Sequence, residues 1–196
     1  MGNVTEYLSE WGVEIDEGKF LALLRETLEQ IAGKDLWAEP EQELPPEEVA
    51  VLHSGGFSTR RQSLGSDDPL FRGALDFSAL IATAVSTKEA AKLLDVDPSR
   101  IRQRLLAPHP SLYGVKWRGE WLLPRFQFTG RKEVPGLDEV VPRLDPGLNP
   151  VTVARWFLSP SPDLVAEKSG DEPMSPREWL LAGHSPMEVA RLAEGL

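Results

Sequence analysis

Between Pro98 and Leu106 the chain reads Pro-Ser-Arg-Ile-Arg-Gln-Arg-Leu-Leu, and five of these residues are of types able to hydrogen-bond to phosphates or base edges: Ser99, Arg100, Arg102, Gln103 and Arg104. Arginine offers a two-pronged donor that matches the guanine edge, and glutamine matches adenine. Ile101 and Leu105 stand four apart and predict the inward face of a helix. With that face buried, Arg100, Gln103 and Arg104 are expected on one side, towards bases. Ser99 and Arg102 suit phosphates, as do Lys116 and Arg118 further on.

Other chemistries are poorly supplied. The chain has no cysteine and three histidines, His53, His109 and His184, which lie far apart in sequence. Thiolate metal sites, disulfides and cysteine nucleophiles are therefore excluded, and no local histidine metal motif exists. No glycine-rich phosphate loop follows a strand. Gly55-Gly56 reads as a helix stop, and Asp68 before Pro69 reads as an N-cap rather than half of a carboxylate pair. No catalytic residue, metal or cofactor is expected, and the chain does not read as an enzyme.

Charge is uneven. The chain of 196 residues carries a net charge of −10. Residues 1–85 account for −10 and residues 133–196 for −6, whereas residues 86–132 hold ten basic against four acidic residues, net +6. A basic island between acidic flanks is the footprint expected where one module meets phosphates. The plainer alternative is a solvated basic face that binds nothing.

The elements that would position these residues follow from local signals. Ser86-Thr87-Lys88-Glu89 is a capping box that opens a helix carrying Ala90, Ala91, Leu93 and Leu94. Asp95-Val96 turns, and Asp97-Pro98 starts the arginine-rich helix as N-cap and first residue. Two short helices about a tight turn make a helix-turn-helix. Asp95 stands where the turn needs a positive φ, which aspartate tolerates better than most residues. Beyond it, Val115 and Trp117 alternate with Lys116 and Arg118, Arg118-Gly119-Glu120 predicts a hairpin turn, and Trp121–Leu123 predicts the returning strand of a small wing. Pro124 ends its pairing. Core packing accounts for Trp117, Trp121, Phe126 and Phe128.

Upstream, Phe20, Leu23, Leu24, Leu28 and Ile31 predict an amphipathic helix over about 18–32. Tyr7, Leu8 and Trp11 suggest a short helix before it. Residues 40–46 form a proline- and acid-rich connector, Pro46 starts a helix that stops at 54–56, and residues 57–68 read as a loop. Asp68-Pro69 opens a helix to about Ala84. Downstream, Asn149-Pro150, Ser175-Pro176-Arg177-Glu178 and Ser185-Pro186-Met187-Glu188 start three helices, the last two as N-cap, proline and N3 glutamate. Residues 157–173 between them read as an irregular loop, and Gly183 closes the second helix.

Two stretches resemble known families. Residues 86–128 resemble the winged helix-turn-helix DNA-binding modules of excisionase and MerR type. Residues 137–195 resemble the toxin-binding C-terminal domain of the MbcA/ParS/Xre antitoxins. The matching pieces are Ala154-Arg155-Trp156-Phe157, Ser159-Pro160-Ser161-Pro162-Asp163-Leu164, Ser175 to Gly183, and Pro186-Met187-Glu188-Val189-Ala190-Arg191-Leu192-Ala193. The resemblance implies a type II antitoxin that binds its operator and masks an RES-domain toxin, an enzyme that degrades NAD. The wing and the acidic N-terminal region depart from that family. On this reading Arg155, Ser161, Asp163, Glu188, Arg191 and Leu196 are the candidate partner-binding residues, and Trp156, Trp179 and Leu192 form the core behind them.

The expected fold class is mainly α: a helical N-terminal region (1–66), a winged helix-turn-helix (67–132) and an all-helical C-terminal domain (133–196). The expected partners are double-stranded DNA and an RES-domain toxin, and the protein is expected to be a homodimer. Its N-terminal helix would mediate association or, alternatively, pack on its own domain. Longer apolar stretches such as Ala79–Val85 fall far short of the roughly 20 residues that span a bilayer. With no signal peptide visible, a cytoplasmic location is expected. A DNA-binding regulator without a toxin, and an interaction module whose helix-turn-helix is only structural, are the alternatives.

Overall fold

The computed structural model describes residues 16–32, 45–55, 68–166 and 172–196. The expected short helix around Tyr7–Trp11, most of the 40–46 connector and residues 57–67 lie outside them. The chain is mainly helical with small antiparallel sheets. It divides into two compact units, residues 1–82 and 83–196.

In the first unit, α1 (Glu17–Ala32) and α3 (Pro69–Thr83) are the long helices, with α2 (Pro46–Ser54) between them in sequence. Phe20, Leu24 and Leu28 recur at helical spacing and are buried. Leu24 and Leu28 cluster with Ala74, Leu70, Phe71 and Leu75. Of the stripe expected to serve self-association, Phe20, Leu24 and Leu28 are thus buried within their own unit, and Leu23 is half-buried. Thr27 interrupts this apolar face but is satisfied: its hydroxyl donates to the Leu23 carbonyl at 2.9 Å and accepts from Ser78 Oγ at 3.0 Å. A buried hydroxyl without such partners would be destabilising. Asp68 caps α3 as expected, its Oδ1 accepting from the Leu70 amide at 2.8 Å.

The second unit begins with β1 (Val85–Ser86), then α4 (Thr87–Leu94), α5 (Pro98–Leu106), β2 (Val115–Trp117) and β3 (Glu120–Leu123). The sheet order is β1-β3-β2, antiparallel throughout. The wing is therefore three-stranded rather than a plain hairpin. Two residues are too few for alternation to reveal β1. After a 3₁₀ turn at Arg125–Gln127 come β4 (Phe128–Thr129) and β5 (Lys132–Glu133), a second hairpin that sequence patterning does not disclose.

The remaining helices are α6 (Leu137–Val140), α7 (Pro150–Leu158), α8 (Pro176–Leu181) and α9 (Pro186–Glu194). A 3₁₀ turn at Val141–Arg143 follows α6, and the local sequence pattern predicts neither. Each of the three proline-initiated helices is present. Asn149 and Ser175 cap α7 and α8 with their side chains. Ser185 does not cap α9; its carbonyl instead accepts from Trp179 Nε1 at 3.1 Å. The helix α7 runs past Trp156 to Leu158, and Val165 bridges Pro173 within the loop that follows. Phe157 is fully buried and stacks on Phe126, ring centroids 4.6 Å apart.

Candidate nucleic-acid interface

The geometry of α4 and α5 is set by their ends. Ser86 Oγ accepts from the Glu89 amide at 3.2 Å, and Glu89 Oε2 accepts from the Ser86 amide at 2.7 Å, closing the capping box. The Ser86 backbone and side-chain hydrogen bonds hold the Glu89 carboxyl below its ordinary range. The turn begins at Asp95, with φ 56° and ψ 48°, and the Val96 amide reaches back to the Ala91 carbonyl at 3.0 Å. A left-handed residue with this bond ends a helix and redirects the chain. Asp97 Oδ1 then accepts from the Ser99 amide at 2.7 Å, and Pro98 opens α5. Hydrogen bonds to Ser99 hold the Asp97 carboxyl low.

Ala90 and Ala91 are small and buried, so α5 packs close. Ile101 is fully buried and Leu105 nearly so, in one cluster with Val85, Leu112, Leu123 and Phe128. Burying such a side chain stabilises by about 1.5–3 kcal/mol. Gly114 brings the chain against this cluster: a Cβ there would lie 2.8 Å from Leu105 Cδ2 and 3.0 Å from the Trp121 ring.

With Ile101 and Leu105 inward, Ser99, Arg100, Arg102 and Gln103 are exposed. Leu106, 64% exposed, shares their side of the helix. Helical spacing puts Gln103 near the middle of this face, Ser99 and Leu106 next to it, and Arg100 and Arg102 at its flanks.

Arg104 is placed differently from expectation. It sits beside Ile101 on the wheel, at the margin of the buried face. Its Nε donates to Ser111 Oγ at 2.7 Å, and both terminal nitrogens donate to the Glu133 carboxylate. About a quarter of each side chain is exposed. The Glu133 bonds push the guanidinium pKa further up. Arg104 therefore holds α5 to β5 and does not belong with Arg100 and Gln103 on the outward face.

The wing turn is also tighter than expected. Arg118 (φ 50°) and Gly119 (φ 80°) form a two-residue loop, and Glu120 already pairs with Trp117. Two successive positive φ angles match the twist of a hairpin and favour glycine at the second position. Lys116 is exposed between buried Val115 and Trp117, and Arg118 occupies the tip. Trp117, Phe126 and Phe128 are buried and Trp121 packs against the core, as expected of structural aromatics.

The candidate partner-binding residues fall on separate elements. Arg155 is exposed on α7. Ser161 is half-buried, its amide donating to the Met174 carbonyl at 3.0 Å, and Asp163 is exposed beyond it. Glu188 and Arg191 are exposed nearly one turn apart on α9, as are Met187 (46% exposed) at its start and Leu196 (39%) beyond its end. Trp179 is buried and packs against the His184 ring, with centroids 4.2 Å apart and 30° between the planes, while Trp156 and Leu192 are half-buried. Among the described residues, no group of three acidic or histidine side chains is placed to hold a metal ion. No helix among them is long and apolar enough to cross a membrane.

Sequence reasoning missed Glu133, Ser111, Gln127 and Arg177. Gln127 is fully buried, accepting from the Tyr113 amide at 2.6 Å and donating to the Tyr113 carbonyl at 2.7 Å. Arg104 and Glu133 are 29 residues apart, and no local pattern links them.

No protein-family model and no curated protein matches the sequence. Among solved structures the chain is similar to one described as the NMR structure of Rv2175c, at 25% identity and a TM-score of 0.42. That likeness covers 69% of this chain and 85% of the other.

Proposed function

We propose that residues 85–133 are a duplex-DNA-reading module of a transcriptional regulator, without enzymatic activity. The observation that carries this reading is the outward face of α5. Ser99, Arg100, Arg102 and Gln103 are exposed on a helix fixed by its Asp97 N-cap, the left-handed turn before it and a buried apolar face. Arg100 and Gln103 suit base edges in the major groove, and Ser99, Arg102, Lys116 and Arg118 suit phosphates. One such module covers few base pairs, so the reading includes a homodimer on inverted half-sites. Its test is fluorescence anisotropy of the full-length protein on duplexes selected from a randomised pool. Binding should weaken steeply with salt as counterions return to the phosphates. Selection that enriches no duplex would end this reading.

The finer reading is that of an antitoxin, with α7 to α9 masking an RES-domain toxin. It is supported by the resemblance of residues 137–195 and by the mixed apolar and charged surface of Met187, Glu188, Arg191 and Leu196. Co-purification of the full chain with an RES-domain enzyme encoded beside it tests that part separately. An adjacent gene product that neither co-purifies nor is inhibited leaves the regulator without a toxin.

A further inference from the structure

We infer that α5 is held in its reading pose from the C-terminal helices, through two arginines and the hairpin between them; this rests on the DNA-reading role of α5 proposed above. The first arginine is Arg177, in the opening turn of α8. Its Nε donates to the Phe126 carbonyl at 3.0 Å, and its Nη2 donates to the Phe128 carbonyl at 3.1 Å. Phe128 opens β4 and lies directly opposite Glu133 of β5 in the ladder. Glu133 in turn receives both terminal nitrogens of Arg104, in the last turn of α5. Phe126 adds an apolar tie by stacking on Phe157 of α7, with 18° between the rings.

A polar anchor matters here because α5 has few others. Its buried residues, Ile101 and Leu105, fix which face turns inward, but apolar burial is non-directional and constrains the roll of the helix only weakly. Arginine's planar fork constrains direction as well as distance when it meets a carboxylate. Base readout needs side chains within about 0.5 Å of their productive geometry. A small roll of α5 about Ile101 would move Gln103 and Arg100 by more than that while leaving the helix intact. Arg104, Glu133 and Arg177 are thus positioning residues that touch no DNA.

The test compares the full-length wild type with Glu133→Gln, Arg177→Ala and the charge swap Arg104→Glu/Glu133→Arg. Each is measured on the duplex selected by the wild type and on an unrelated duplex, over a salt series, with thermal melting as a control for folding. Glu133→Gln keeps the side-chain shape and guards against simple misfolding. The account expects Glu133→Gln and Arg177→Ala to lose roughly tenfold in affinity for the selected duplex. Affinity for the unrelated duplex and the salt slope should stay unchanged, because no phosphate contact is removed. The charge swap should recover most of the loss. Equal weakening on both duplexes, a smaller salt slope, or unchanged affinity for the selected duplex would each overturn the inference. A wild type that selects no duplex would instead overturn the DNA-reading role on which it stands.

Discussion

The helices α5 and α9 make an instructive pair. Both are nine residues long, begin with proline and bury one apolar face. Their outward faces differ in kind. On α5 the exposed charges are all basic, Arg100 and Arg102 with Gln103 between them on the wheel. On α9 the signs are mixed: Glu188 and Arg191 are exposed, Met187 adds apolar surface, and Glu194 pairs with Arg143. A single-sign cationic face with an amide complements a polyanion that also presents base edges. A mixed face with an exposed methionine complements another protein. The lesson lies in where the remaining charge goes. Arg104, on the same helix as Arg100, is engaged by Glu133, so arginine content alone does not define a reading face.

The largest expected effect tests the buried side that the two helices share. Ile101→Ala removes a fully buried side chain and should cost about 2–5 kcal/mol, read as a lower denaturant midpoint. An unaffected midpoint would mean that α5 is not anchored as described. The next sharpens the contrast between the outward faces. Arg100→Ala/Arg102→Ala should cost about 1–3 kcal/mol of DNA binding while changing stability by less than about 0.5 kcal/mol. Glu188→Ala/Arg191→Ala should leave DNA affinity unchanged in the same anisotropy assay. Equal losses from the two pairs would erase the distinction between the helices.

A smaller effect concerns the capping boxes that position α4 and α8. Ser86→Ala or Ser175→Ala should cost about 1 kcal/mol at neutral pH. The Glu89 and Glu178 carboxyls are held below their ordinary range chiefly by the backbone amides of Ser86 and Ser175. Their contribution is therefore complete above the unfolded carboxylate range and is lost as pH falls through the lowered folded values. Melting temperatures should converge between wild type and Glu89→Gln on acidification. A gap that persists below the carboxylate range would contradict the capping role.

The parts legible in the sequence were those written in local chemistry. The capping boxes at Ser86 and Ser175, the N-caps Asp68 and Asp97, the left-handed Asp95 and the face defined by Ile101 and Leu105 all follow from spacing of a few residues. The parts not legible depend on contacts between distant residues. The strand at Val85–Ser86 exists because Leu122 and Leu123 lie beside it. Arg104 looked like a reading residue because its partner Glu133 is remote. Ser185 carries every local mark of a cap, yet its side chain makes no cap hydrogen bond. Thr27 is buried in an apolar stripe because Ser78 meets it.

The central claim is that the outward face of α5 and the wing meet duplex DNA. Amide chemical-shift mapping of the full-length protein, titrated with its selected duplex, tests it most directly. The account predicts the largest shifts at Ser99, Arg100, Arg102, Gln103, Lys116 and Arg118, with α7 to α9 little affected. Shifts concentrated on α9 and around Arg155, with those six residues unmoved, would contradict it.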